Sequence, residues 1–124
     1  MNEEPVNWME VIGFGPVVRR GPLVVVAGTG PIGEDGAVYA KGDAGAQTRR
    51  VLERIAERLE SVGTDLSAVV QTRVMISRQA DWQDVGRAHG EVFKDIQPVT
   101  TMAYAELLDP DFLVEIDATA WVLE

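Results

Sequence analysis

The residues most able to do chemistry lie near the carboxyl end, in the run Leu113-Val114-Glu115-Ile116-Asp117-Ala118. A period of two sends Glu115, Asp117, Thr119 and Trp121 to one side of a strand and Val114, Ile116, Ala118 and Ala120 to the other. Glu115 can orient water as a general base, a role that a pKa raised by burial would help. The plainer reading is an interface ion pair with Arg73. Arg73 has the same two readings, a cation for a ligand or a structural partner for Glu115 and Asp117. Thr100 and Thr101 offer hydroxyls beside a candidate cleft, although threonine is also simply a good strand former. His89 is the only imidazole, but it shares an apolar stripe with Val85, Val92 and Phe93, which reads as a core or interface histidine.

Other constellations carry less. Gly28-Thr29-Gly30 has the glycines of a phosphate-binding loop, but lacks its Lys and spacing and runs into Pro31 instead of a helix. Asp109, Asp111, Glu115 and Asp117 have no EF-hand order. With no cysteine and a single histidine, disulfides, thiolate catalysis and multi-histidine metal sites are excluded. No metal site and no cofactor are expected.

The whole chain is expected to form one domain, residues 1–124, with residues 1–13 as an irregular lead-in. Its 124 residues are 46% hydrophobic, enough for a sizeable core. The formal charge of -9 repels phosphate backbones, so no nucleic-acid partner is expected. An acidic, polar start is unlike a secretory signal, and no apolar run reaches membrane-spanning length. The expectation is a cytoplasmic protein without membrane contact.

These residues must be positioned by a small set of elements. Val17 to Arg20 and Leu23 to Ala27 read as two strands about Gly21-Pro22, the second dense enough in valine to be buried on both faces. A short third strand is expected around Val38 to Ala40. Asp43 then precedes a helix whose apolar residues Leu52, Ile55, Leu59 and Val62 follow one helical face, closed by Gly63. Its Arg49, Arg50, Glu53, Arg54, Glu57 and Arg58 read as a solvated face. Val69 to Ser77 alternates as a strand, with Val70, Val74 and Ile76 on one side and Gln71, Arg73 and Met75 on the other. A second helix starts with Asp81 as N-cap and buries Trp82, Val85, His89, Val92, Phe93 and Ile96. Val99 to Glu106 and Phe112 to Leu123 complete the order βββαβαββ. This predicts an α+β fold related to the ferredoxin-like motif, a sheet with both helices on one face. The other face, with Arg73, Met75, Glu115, Asp117 and Trp121, is too apolar to leave wet and too charged for a dry core. A symmetric homo-oligomer through that face is expected.

Taken in order, several segments resemble the Rid family, the reactive intermediate deaminases or YjgF-like proteins, also labelled endoribonuclease L-PSP. They are Ala27-Gly28-Thr29 after the valine-rich strand, Ala46-Gln47-Thr48-Arg49 with Leu52, and Val69-Val70-Gln71-Thr72-Arg73-Val74. Asp81-Trp82 with Val85 and His89 to Phe93, Pro98-Val99-Thr100-Thr101-Met102, and Leu113 to Ala118 complete the set. The resemblance spans about Gly15 to Val122. It implies a chorismate-mutase-like fold and a homotrimer with clefts between subunits that bind a small metabolite. The implied activity is hydrolysis of enamines and imines to carbonyl compounds and ammonia.

Carried over by position, the turn that helps place water becomes Ala27, Gly28 and Thr29, and the assisting glutamate becomes Glu115. The family's carboxylate-clamping arginine, two residues after a proline, corresponds to Thr100. Val17 and Gly86 stand where the family has a tyrosine and an asparagine. The resemblance is therefore to a divergent, arginine-lacking member, with Thr100, Thr101 and Arg73 as candidate ligand contacts. The alternative is a non-catalytic small-molecule-binding or chaperone-like trimer. A ribonuclease reading rests on the family label alone, and the acidic charge argues against it.

Overall fold

A computed structural model describes residues 5–123. Two strands, β1 (Val17–Arg20) and β2 (Leu23–Thr29), follow a short helix α1 (Trp8–Ile12). Helix α2 (Ala44–Glu60), strand β3 (Val69–Ile76), helix α3 (Trp82–Phe93) and strands β4 (Val99–Tyr104) and β5 (Val114–Trp121) complete the fold. The sheet order is β1-β2-β5-β3-β4, antiparallel except for the β3–β4 pair. The parallel pair is joined through α3, as a βαβ crossover requires.

Helix α2 forms where its sequence directs. The Asp43 side chain accepts from the Ala46 N–H at 3.0 Å, capping the first turn. At the other end Gly63 takes φ 84°, where Thr64 N–H reaches Leu59 O and Gly63 N–H reaches Glu60 O, each at 3.1 Å. That paired closure needs the left-handed conformation glycine adopts most easily. Between the caps, Val51, Leu52, Ile55 and Leu59 are buried against Val24, Val26, Ile116 and Ala118. Each such side chain contributes about 1.5–3 kcal/mol through removal from water.

The alternation expected in β5 is observed, with Val114, Ile116, Ala118 and Ala120 buried beneath the helices and Glu115, Asp117, Thr119 and Trp121 facing away. Both α2 and α3 therefore cover one face and leave the other open.

Several local expectations are corrected. Part of the expected lead-in is helical: Asn7 caps α1 by accepting from Glu10 N–H, while residues 1–4 lie outside the described residues. No third strand forms near Val38, where only an isolated bridge joins Ile32 and Val38 because the Gly33 to Gly36 turn allows no longer register. The observed order after α1 is therefore ββαβαββ. Val25 is 46% exposed, because only one face of β2 meets the helices. Val70 is exposed as well. Val69 pairs with Ala120 and Gln71 with the adjacent Thr119, so Val70 is an extra, bulged residue and Thr72 joins Val74 and Ile76 on the buried side. Asp81 makes no cap bond; its carboxylate instead accepts from the Arg78 guanidinium at 2.7 Å. Trp82 is 54% exposed, at the rim of a shallow cavity it shares with Met102 and Tyr104.

Candidate functional site

Strand β2 makes one irregular step against β5. Val26 pairs with Ala118 and Thr29 with Ile116, so three steps on β2 match two on β5. The extra residue lets Val26 and Thr29 both turn toward α2, while Ala27 and Gly28 lie on the open side. That is the side of Glu115. A Cβ built on Gly28 would come within 3.3 Å of the Glu115 carboxyl carbon and of Oε2. The carboxylate therefore lies against bare backbone that only glycine exposes without crowding it.

Glu115 is partly buried, and among the described residues nothing hydrogen-bonds or ion-pairs with it. Burial pushes its pKa up, and the negative charge of Asp117 on the same face raises it further. Its neighbour is treated differently. Asp117 receives Arg73 Nε at 3.0 and 3.1 Å and Arg73 Nη2 at 3.0 Å. The ion pair expected between Arg73 and Glu115 thus forms with Asp117, because the register sets Arg73 opposite Asp117 and Met75 opposite Glu115. Thr101, which pairs with Arg73 on the parallel side, is exposed on the same open face.

Thr100 goes elsewhere. It pairs with the buried Thr72 and shares the helix-covered face, so the sheet lies between it and Glu115. Its Oγ1 is 2.8 Å from Thr72 Oγ1, which is 2.9 Å from His89 Nε2. Thr100 also donates to Pro98 O at 3.2 Å. Each hydroxyl has one proton, so Thr72 donates to Thr100 and accepts from His89, which places the imidazole proton on Nε2. Burial lowers the His89 pKa and favours this neutral form. The ring packs on Phe93 at 4.6 Å between centroids.

Of the sequence candidates, Ala27, Gly28 and Glu115 are brought together; Arg73 and Thr101 lie farther along the same face, and Thr29 and Thr100 point to the helices. The sequence reading missed what holds the β2 exit. Arg50, Arg54 and Arg58, expected to be solvated, turn onto the loop after β2. Arg50 Nε donates to Ile32 O at 2.7 Å, Arg54 Nη1 to Gly30 O at 2.6 Å and Arg58 Nη1 to Thr29 Oγ1 at 2.5 Å. Their spacing of four was the available signal, since like charges stacked along one helix face repel unless they have other acceptors.

Cavities of 620 and 580 Å³ lie at the two ends of the sheet, and neither is lined by Glu115 or Gly28. The carboxylate stands on an open surface, the sheet face that farther along β2 and β5 also carries exposed Leu23, Val25 and Trp121. Among the described residues, no group of three His, Asp or Glu is placed to hold a metal, and no helix is long and apolar enough to cross a membrane.

The sequence profile described as Endoribonuclease L-PSP matches residues 9–122. This chain belongs to that family, the YjgF or Rid family. A Mycobacterium tuberculosis structure, of a member of the YjgF/YER057c/UK114 family, is similar at 40% identity and TM-score 0.83, covering 94% of this chain and 93% of that one. The 3-aminoacrylate deaminase RutC of Acinetobacter baylyi is 33% identical over 109 residues, 88% of this chain and 86% of that protein. An uncharacterised Streptomyces coelicolor protein is 34% identical over 115 residues, 92% of this chain and 85% of its own. The family's fold, α+β and chorismate-mutase-like with a five-stranded sheet and helices on one face, is the one described above.

Proposed function

We propose that this chain is a single-domain, Rid-type hydrolase that binds a small metabolite at clefts between the subunits of a homotrimer and hydrolyses an enamine or imine. The observation that carries the reading is Glu115, a partly buried carboxylate without a partner among the described residues, held against the Gly28 backbone on an uncovered sheet face. The similarity to a 3-aminoacrylate deaminase supports the reaction class. The exposed Leu23, Val25 and Trp121, on the same face as Asp117 and Arg73, support assembly through that face, since a second copy would enclose a site that one chain leaves open.

In the reaction, an enamine first takes a solvent proton on carbon to become the iminium ion. Water then adds to the C=N carbon while the Glu115 carboxylate accepts one of its protons, giving a neutral carbinolamine. The same carboxyl returns that proton to nitrogen, and the C–N bond breaks to release ammonia as the carbinol hydroxyl gives its proton to solvent, leaving a carbonyl compound. A pKa held above the ordinary carboxylate range suits both transfers. Thr100 stands two residues after Pro98, where the family's clamping arginine is expected, and its hydroxyl is already committed to Thr72 and Pro98. The chain is thus proposed as an arginine-lacking member, whose substrate is not held by a guanidinium at this position.

The test is ammonia release from freshly generated imines with and without a carboxylate, corrected for spontaneous hydrolysis. Glu115→Gln is expected to lower kcat about 10²-fold, the usual contribution of one general base. Equal release by wild type and variant would overturn the assignment. No acceleration by wild type, with ligand still bound, would support the non-catalytic small-molecule-binding reading instead.

A further inference from the structure

We infer that Arg54 and Arg58 are positioning residues for the Gly28–Glu115 site, acting through the sheet from the face opposite to it. The inference rests on the reading of Glu115 given above and extends it to the side chains that set the shape of its surroundings.

Helix α2 grips both backbones that flank the site. On the β5 side, the fully buried Gln47 donates to Asp111 O at 3.0 Å and accepts from Leu113 N–H at 2.8 Å, fixing the chain two residues before Glu115. On the β2 side, Arg50, Arg54 and Arg58 take hold of Ile32, Gly30 and Thr29 in reverse order, so helix and loop run antiparallel. Both grips come from one helix, so the two backbones that carry Gly28 and Glu115 share a support in addition to their direct pairing in the sheet.

Arg58 acts on the bulge itself. It donates to Thr29 Oγ1, and that hydroxyl donates in turn to Ala27 O at 2.8 Å. A relay of two hydrogen bonds therefore runs from the helix to the carbonyl immediately before Gly28. Without the extra residue, ordinary alternation would turn position 28 toward the helix and position 29 toward the open face. The relay holds the alternative in which Thr29 is only 1% exposed and Gly28 faces Glu115. Arg54 fixes a second carbonyl three residues on, Gly30 O, where no side chain fits: a Cβ would lie 2.2 Å from Phe112 Cε2.

The arginines are not placed there by ion pairing. Among the described residues neither Arg54 nor Arg58 forms a salt bridge, whereas Arg49, Arg50 and Arg73 each do. Burial lowers the pKa of both, and repulsion by Arg50 at Arg54 and by Arg54 at Arg58 lowers it further, opposed at Arg54 by the charge of Glu57. Two half-buried cations stand side by side, and the hydrogen bonds that their guanidinium groups make go to Gly30 O and Thr29 Oγ1. A purely structural surface helix needs no such arrangement.

The test compares Arg58→Met, which keeps the apolar stem, with Thr29→Val, which is isosteric but lacks the hydroxyl, and Thr29→Ser, which keeps the hydroxyl. Amide hydrogen exchange, the kcat and KM of imine hydrolysis, and Tm are measured for each. Arg58→Met and Thr29→Val are expected to speed exchange at Ala27, Gly28 and Gly30 about tenfold, leaving the α3 amides unchanged. They are expected to lower kcat about tenfold with KM within about twofold. Thr29→Ser, which retains the relay, restores both. Unchanged exchange at 27–30, or exchange rising equally throughout the protein, overturns the inference. If wild type shows no turnover, the proposed reaction fails, and the exchange measurement still decides whether the arginines shape the bulge. Should Arg58→Met fail to fold, the Thr29 pair answers the same question.

Discussion

Two polar groups of similar burial lie on opposite faces of one sheet and are wired differently. On the helix side, His89, Thr72, Thr100 and Pro98 O form a closed series in which each proton has an acceptor. On the open side, Glu115 lies against Gly28 with no partner among the described residues, while Asp117 is fully occupied by Arg73. Burial drives both His89 and Glu115 toward their neutral forms. The contrast is one of hydrogen-bonding capacity, spent at His89 and, among the described residues, unspent at Glu115. His89 gives its proton to the fold, and the Glu115 oxygens receive none from the described residues.

The comparison can be broken on the closed side first. Thr72→Val removes the centre of the series and leaves His89 and Thr100 without their shared partner, at a cost of about 1–3 kcal/mol in urea unfolding. The Glu115-dependent rate should remain within about twofold of wild type. A variant as stable as wild type would show that the series does not hold the helix to the sheet.

A pH series sharpens the contrast, because the two groups are linked to stability with opposite sign. The folded His89 pKa lies below the ordinary 6.5, so the unfolded chain takes its proton first. Its contribution is present above 6.5 and falls away as pH drops toward the folded value. The folded Glu115 pKa lies above the ordinary 4.5. Its contribution is present below 4.5 and is lost as pH rises through the folded value. Glu115→Gln should therefore flatten only the loss on the rising side, as read by Tm across pH 4 to 8. A parallel profile in the variant would remove the linkage.

The smallest effect is expected at Arg73, whose side chain is 66% exposed in its pair with Asp117. Exposed pairs contribute little, so Arg73→Ala should leave Tm unchanged and imine hydrolysis within about threefold of wild type. A loss as large as that of Glu115→Gln would transfer Arg73 from structural partner to ligand contact.

The elements with strong periodicity were readable from the residues. Leu52, Ile55 and Leu59 defined α2, alternation from Val114 to Ala120 defined β5, and both faces of that strand were assigned as observed. Where the chain departs from a strict period, the pattern failed. The bulge at Val70 reverses the phase of the preceding residues, and the one at Ala27–Gly28 turns Thr29 to the helix. Neither follows from side-chain type. Ala27, Gly28 and Glu115 could be named as a group through the family resemblance, but no local rule places Thr100 across the sheet from Glu115. Arg50, Arg54 and Arg58 look like any solvated helix face until the loop that accepts their hydrogen bonds is in place.

The strand order has a consequence for how this molecule can form. The middle of the sheet is β5, which joins β2 on one side and β3 on the other, so residues near 25 are stitched to residues near 119. No local hairpin or crossover completes the core by itself, and closing so long a loop must precede the contacts that reward it. Folding should accordingly be slow for the chain's size, and a cut within the loop before α2 should yield fragments that fold only when mixed.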